Sequence, residues 1–281
     1  MEHNTMNITI KKLKPLLIIL STIFISVVFY KQCFKKTCLK KVTPTKQPTT
    51  KTMNHLAIIM DGNRRWAKKQ GKPTWFGHKH GAKNAKMAVE FCVEYNIPYL
   101  TLYSFSTENF KRPQEELSHI FDIIVKGLSD KELQKLIGHG VKIKFVGKRS
   151  LFPEKVKTVA EKIEKATQDG DKLTVNILFA YGGRLEITSA LKSICKDVKD
   201  GKLTVGQITE KTIENNLWMA GCPDPDLIIR TGKRNRLSNF LAWQNVYSEL
   251  LFSDKYWPAI TKKDLKLAVA DFEGRKRTYG S

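Results

Sequence analysis

A chain of 281 residues, 41% hydrophobic and 27% charged, is long enough to bury a sizeable core in one large domain or two small ones. Its net charge of +22 suits phosphorylated substrates, a negatively charged membrane surface or nucleic acid. Nucleic acid is disfavoured because the basic residues are scattered and no recognised nucleic-acid motif occurs. The five cysteines (Cys33, Cys38, Cys92, Cys195 and Cys222) are odd in number and lack metal-ligand spacing, which argues against a disulfide framework or a zinc site and for a reducing compartment.

Residues 1–52 hold ten lysines and one acid, Glu2, so about +9 sits in this extension and +13 in the body. Pro15 to Tyr30 is apolar except for Ser21, Thr22 and Ser26. As a helix it would span roughly 24 Å, somewhat short of a hydrocarbon core of about 30 Å. No small-residue cleavage site follows Tyr30, and Cys33 lacks the small residues that precede a lipidated cysteine. The expectation is an uncleaved membrane anchor. The lysines after it (Lys31, Lys35, Lys36, Lys40 and Lys41) outnumber those before it and would keep the body on the cytoplasmic face. Residues 42–53, rich in Thr, Pro and Lys, read as a flexible tether, leaving 54–281 as the folded body.

At the start of that body, Leu56 to Met60 predict a buried strand that stops at Asp61, followed by Gly62-Asn63 and a basic helical run, Arg64 to Gln70. A carboxylate delivered to a helix start among N–H groups and two arginines suits a metal-bound diphosphate. The same loop composition also serves turn geometry alone. Further strands are expected near 99–104, 141–147, 172–180, 226–230 and 249–252. Helices are expected near 64–70, 79–95, 114–137, 153–168, 184–200, 207–217, 236–245 and 262–273. This alternation predicts an α/β fold, a mainly parallel sheet flanked by helices. On the 114–137 helix, Leu117, Ile120, Phe121, Ile124, Leu128, Leu133 and Leu136 form one apolar face. Cys92 falls in a helical apolar pattern and reads as core.

Downstream, Leu227 to Ile229 form an apolar strand ending at Arg230, followed by a Gly-containing loop, Arg236 and Ser238, with Glu249 beside the last strand. Two guanidinium forks and a hydroxyl suit a second phosphate group, although arginines are more often solvated surface charge.

Four segments carry a family resemblance: His55–Gly81, Tyr99–Pro113 (YLTLYSFSTENFKRP), Asn176–Arg184 (NILFAYGGR) and Pro223–Phe252. In this order they resemble the cis-prenyltransferases of the bacterial undecaprenyl diphosphate synthase type, over nearly everything after residue 53. The resemblance implies a single α/β domain with a hydrophobic tunnel walled by its helices, a homodimer and Mg2+. The implied reaction adds isopentenyl diphosphate to an allylic prenyl diphosphate, typically farnesyl diphosphate, forming a new cis double bond in a long polyprenyl diphosphate. It assigns Asp61 as the essential metal-binding carboxylate, with Glu249 as a second metal ligand contributed near a subunit interface. Gly62, Asn63, Arg64, Arg65 and Trp66 would form the allylic diphosphate loop, with His78 as a further phosphate contact and His80 without a role. Ser106, Thr107, Glu108, Phe110 and Arg112 would also contact substrate. Asn109 would help remove the C2 proton, although a neutral amide is a poor base and a relay through water or pyrophosphate is better chemistry. Arg230, Arg236, Leu237 and Ser238 would hold isopentenyl diphosphate. Ile143 and Phe145 are candidate tunnel-wall positions.

The chain departs from the family pattern at Arg64 (often glycine), Thr74 (commonly arginine), Phe110 (often tryptophan) and Lys233-Arg234 (in place of Gly-Glu). The last change puts details of the isopentenyl site in doubt. Two other readings compete. A non-catalytic subunit of a prenyltransferase complex would be expected to lose the carboxylate or the downstream arginines, and both are kept. A membrane-anchored nucleic-acid-binding protein gives the acids no role.

Overall fold

Leu56, Ala57, Ile58 and Ile59 are all buried, as required of a strand whose sheet is covered on both faces. In the computed structural model, which describes residues 53–127 and 129–275, they form β1 (His55–Ile59). The anchor-like segment 15–30, the tether and Leu128 lie outside the described residues. No helix among the described residues is long and apolar enough to cross a membrane.

The remaining strands are β2 (Tyr99–Ser106), β3 (Val141–Val146), β4 (Leu173–Tyr181), β5 (Leu227–Arg230) and β6 (Glu249–Phe252). They form one six-stranded, all-parallel sheet ordered β3-β4-β2-β1-β5-β6. The parallel α/β expectation is met, and each expected strand is present. The helices are α1 (Asn63–Lys69), α2 (Thr74–Glu94), α3 (Gln114–Val125), α4 (Asp130–Gly138), α5 (Glu154–Ala166), α6 (Gly183–Lys199), α7 (Glu210–Asn216) and α8 (Lys262–Glu273).

Alternate residues of β1 serve different layers. Leu56 and Ile58 join a large core with Phe91 and Cys92 of α2, Phe121 of α3, Ile163 of α5 and Phe272 of α8. Ala57 and Ile59 join a smaller one on the other face with Leu178, Ile228 and Phe240.

Three expected helices differ. The 114–137 helix is two, because Ser129 opens a new one: its hydroxyl accepts from Glu132 N–H at 3.3 Å and the Glu132 carboxylate accepts from Ser129 N–H at 2.8 Å. The expected 207–217 helix shortens to α7 because Thr209 caps it in the same way. No helix forms over 236–245, where Ser238, Asn239 and Leu241 take left-handed φ of 51°, 65° and 42°. Tertiary bonds, described below, impose that irregular path on apolar residues that have helical spacing.

Candidate active site

Parallel strands bring their carboxyl ends to one edge, and the order of the sheet reverses at β1, between β2 and β5. Open α/β sheets place ligands at such a point. In the register Ile59 lies opposite both Tyr103 and Arg230, so Asp61, just past β1, faces Arg230 across 169 positions of sequence. A cavity of about 570 Å3 opens there. Its walls include Asp61, Asn63, His78, Ser106, Glu108, Asn109, Arg112, Arg230, Arg236 and Ser238, every one a residue marked by the sequence.

Asp61 divides its carboxylate between two arginines. Arg65 Nη2 donates to Oδ1 at 3.0 Å and Arg230 Nη2 donates to Oδ2 at 2.8 Å. The Arg65 guanidinium also donates to the Gly232 carbonyl and lies 5.4 Å from the Tyr256 ring centroid. Arg230, only 4% exposed, donates further through Nη1 to the Arg236 carbonyl and to Ser238 Oγ at 2.7 Å. Among the described residues its Nε–H has no partner, and a buried donor left unpaired beside a cavity favours an anion arriving there. Ser238 Oγ accepts a second bond from Arg236 Nε at 3.2 Å. With both lone pairs taken, its own hydrogen is left to donate.

Beside this pair lies an acid that sequence reasoning missed. Glu116, 6% exposed, sits 3.2 Å from His78 Nε2, 3.3 Å from Arg112 Nη1 and 3.5 Å from Arg64 Nε. Its position four residues after Arg112, at the start of the helix that follows, was the available signal. Burial, reinforced by the positive charge of Arg112 and Arg64 and opposed by Glu116, lowers the His78 pKa. The neutral ring gives its Nε2 hydrogen to Glu116, so its Nδ1 can donate only when an arriving anion favours protonation. His80 bonds the Phe76 carbonyl at 2.9 Å and packs on the Trp66 and Phe76 rings, in keeping with its bland reading.

Ser106 to Arg112 wrap the cavity as a 3-10 turn, in which Asn109 Oδ1 accepts from Ser106 N–H at 3.2 Å. Asn239, also missed, donates to Glu108 at 3.0 Å and accepts from Arg184 N–H at 2.9 Å. These bonds pull the 236–245 segment out of a helix. Burial alone would raise the Glu108 carboxyl, but hydrogen bonds, including those from Asn239, Ser106 and Thr107, outweigh it and hold the pKa below its ordinary value.

Other marked residues do not line the cavity. Gly62, at φ 107°, turns the chain into α1, and Arg64 and Arg65 act through Glu116 and Asp61. Trp66 stacks on Phe76 at 5.8 Å, Phe110 packs edge-on against Phe105 at 4.9 Å, and Leu237 packs against the smaller core. Thr107 donates to Glu108 at 3.2 Å. Glu249 pairs with Leu227 at the opposite, amino end of the sheet, and its carboxylate takes Arg275 Nη1 at 2.8 Å. Within this chain Glu249 and Asp61 are not brought together.

A second cavity, of about 400 Å3, runs under the same edge between the sheet and α2, α3, α4 and α5. It shares Met60, Asn63, His78, Ser104 and Ile120 with the polar cavity, and Ile143 and Phe145 are among its walls. A basin lined by Arg112, Arg230 and Arg236 thus adjoins an apolar cavity.

The family model described as "Putative undecaprenyl diphosphate synthase" matches residues 59–280. The chain belongs to the cis-prenyltransferases. It is 45% identical over 226 residues to an isoprenyl transferase of Thermotoga maritima, covering 80% of this chain and 96% of that one. It is 44% identical over 227 residues to a tritrans,polycis-undecaprenyl-diphosphate synthase (geranylgeranyl-diphosphate specific) of Pyrococcus abyssi, covering 80% and 86%. Lavandulyl diphosphate synthase from Lavandula x intermedia, solved with dimethylallyl diphosphate, superposes with a TM-score of 0.79 at 32% identity, over 82% of this prenyltransferase and 99% of the lavender chain.

Among the described residues of this prenyltransferase, no three His, Cys, Asp or Glu groups converge to hold a metal. One partly exposed carboxylate ringed by arginines nevertheless fits Mg2+, which keeps waters and is commonly bound through one or two carboxylates plus substrate phosphates. Of the departures, Lys233 takes a left-handed φ of 58° where the family usually has glycine.

Proposed function

We propose that this prenyl-transferring enzyme is a cis-polyprenyl diphosphate synthase that condenses isopentenyl diphosphate repeatedly onto an allylic diphosphate, with Mg2+, to give a long lipid carrier such as undecaprenyl diphosphate. The observation that carries the reading is Asp61, linked to Arg230 in a cavity that also holds Arg112 and Arg236 and that shares Met60, Asn63, His78, Ser104 and Ile120 with an apolar one. Farnesyl diphosphate is the starter that we favour. The geranylgeranyl-specific relatives make geranylgeranyl diphosphate the first alternative to assay.

Bound Mg2+ would neutralise charge on the leaving diphosphate, with Asp61 holding it together with diphosphate oxygens. Asn63, His78 and Arg112, supported by Arg64, Arg65 and Glu116, would seat the allylic diphosphate. Arg230, Arg236 and the hydroxyl of Ser238 would seat isopentenyl diphosphate. Its double bond forms a carbon–carbon bond to the allylic C1 as the C1–oxygen bond breaks, and the C2 proton leaves to restore a double bond. Asn109 is a neutral amide whose oxygen already accepts from Ser106. It would therefore orient the proton acceptor, a water or a released diphosphate oxygen, instead of acting as base. The hydrocarbon tail would lie in the apolar cavity.

Glu249 would reach a shared metal only from a second chain, so its proposed role and the proposed homodimer stand together. Docking at the cytoplasmic face of a membrane through the 15–30 segment completes the proposal.

Incorporation of labelled isopentenyl diphosphate by the full chain tests this. Asp61→Ala should abolish incorporation while circular dichroism stays native. Undiminished incorporation would reject the role of Asp61.

A further inference from the structure

The apolar cavity carries charged as well as hydrocarbon side chains in its wall. Near the diphosphate basin it is bounded by Met60, Asn63 and His78, and its middle is aliphatic and aromatic, with Val89, Leu102, Ile143 and Phe145 among its walls. Four charged residues also line it: Lys86 and Glu90 on α2, and Glu132 and Lys135 on α4. They pair across the two helices, Lys86 Nζ with Glu132 Oε1 at 2.5 Å and Lys135 Nζ with Glu90 Oε1 at 2.8 Å. Their side chains are 39 to 57% exposed, so this end of the cavity meets solvent through a charged rim.

We propose that this rim between α2 and α4 is the length-setting end of the tunnel, where the Lys86–Glu132 and Glu90–Lys135 pairs stop elongation. The inference rests on the condensation reading above and adds where, and by what chemistry, growth ends.

A chain anchored by its diphosphate in the basin pushes its oldest isoprene unit away from that basin with every addition. While that unit moves along apolar walls, its carbons stay out of water. At the rim the next unit must either strip water from two ion pairs or part α2 from α4 and enter solvent. Either route forfeits the gain from burial, which grows with apolar area. Exposed ion pairs are individually weak, so their effect comes from desolvation and not from strength as a latch. A polar rim therefore gives a soft limit, a spread of neighbouring lengths, where a bulky floor would give a sharp one. Both pairs span helices that the sequence pattern ran together on one side, which is why the rim shows only in three dimensions.

Product length measured by mass spectrometry, from an allylic starter, isopentenyl diphosphate and Mg2+, tests the proposal on the full chain. Glu90→Leu/Lys135→Leu extends the apolar wall and should lengthen the main product by about one isoprene unit or more. Charge reversal, Glu90→Lys/Lys135→Glu, restores a pair and should keep the wild-type distribution. Because Glu132 also caps α4, the other pair is changed as Lys86→Leu/Glu132→Gln, which leaves an oxygen to accept from Ser129 and should lengthen the product too. Unchanged lengths in both apolar variants, with label still incorporated, would overturn the rim while leaving the condensation reading intact. No incorporation by the wild type from either starter would instead overturn that reading, and the rim with it.

Discussion

His55 offers the cleanest quantitative test of the fold. It opens β1, is fully buried, and has both ring nitrogens engaged. Its Nδ1 lies 2.7 Å from the Pro223 carbonyl, which can only accept, so Nδ1 carries the hydrogen. Its Nε2 therefore accepts from the Thr101 hydroxyl at 2.8 Å, and that hydroxyl accepts in turn from Asn176 at 3.3 Å. A proton on Nε2 would force the Thr101 hydroxyl to turn, leaving its hydrogen without the acceptor it now has. Burial accordingly lowers the pKa from 6.5 to about 4, against smaller upward effects of Pro223 and Asp226. Between these values the unfolded chain binds the proton and the folded chain does not. The stabilisation is therefore full above pH 6.5 and is lost as the pH falls toward 4. Moving from pH 7 to pH 5 should remove about 2 kcal/mol of stability through this one ring. Urea unfolding followed by tryptophan fluorescence, for wild type and His55→Gln at both pH values, measures it. Other titrating groups, His78 among them, are common to both proteins and cancel in the difference. The glutamine variant should be less stable at pH 7 but should lose about 2 kcal/mol less on acidification. Equal acid losses in the two proteins would refute the reasoning.

Two further substitutions probe the frame of the site. Lys233 is exposed and left-handed, and its N–H donates to the Ser253 carbonyl at 3.2 Å. Lys233→Gly keeps that bond and removes the steric cost of a Cβ, so it should stabilise by up to about 1 kcal/mol and raise the thermal midpoint by a few degrees. A midpoint that does not rise would count against the strain. Gly77 is where α2 meets the start of α1: a Cβ there would lie 2.1 Å from the Asn63 carbonyl oxygen, which is backbone and cannot swing aside. Gly77→Ala should therefore cost about 1–3 kcal/mol in urea unfolding and raise KM for the allylic diphosphate by displacing Asn63, which borders both cavities. A wild-type KM would show that Asn63 had not moved.

The sheet was legible because strands covered on both faces must be apolar throughout, so Leu56–Met60 and Leu227–Ile229 announced themselves and their charged ends marked the edge where ligands bind. The charged rim was not, because the apolar spacing of 114–137 ran through the Ser129-x-x-Glu132 cap that divides it. Helix was expected over 236–245 for a similar reason. The apolar residues there have helical spacing, but Asn239 finds Glu108 and Arg184 in distant segments, and those bonds outweigh local preference. Glu116 escaped notice because a Glu115-Glu116 pair at a helix start reads as surface; only the fold surrounds Glu116 with His78, Arg64 and Arg112.

Local chemistry, the order of the strands, and the two charged strand ends follow from the amino-acid sequence, since each depends on neighbours along the chain. That Asp61 and Arg230 share a hydrogen bond, that Glu249 lies at the other end of the sheet, and that two ion pairs line the apolar cavity were decided only by tertiary structure. Register between strands and packing between helices set those distances, and both depend on residues far apart in sequence.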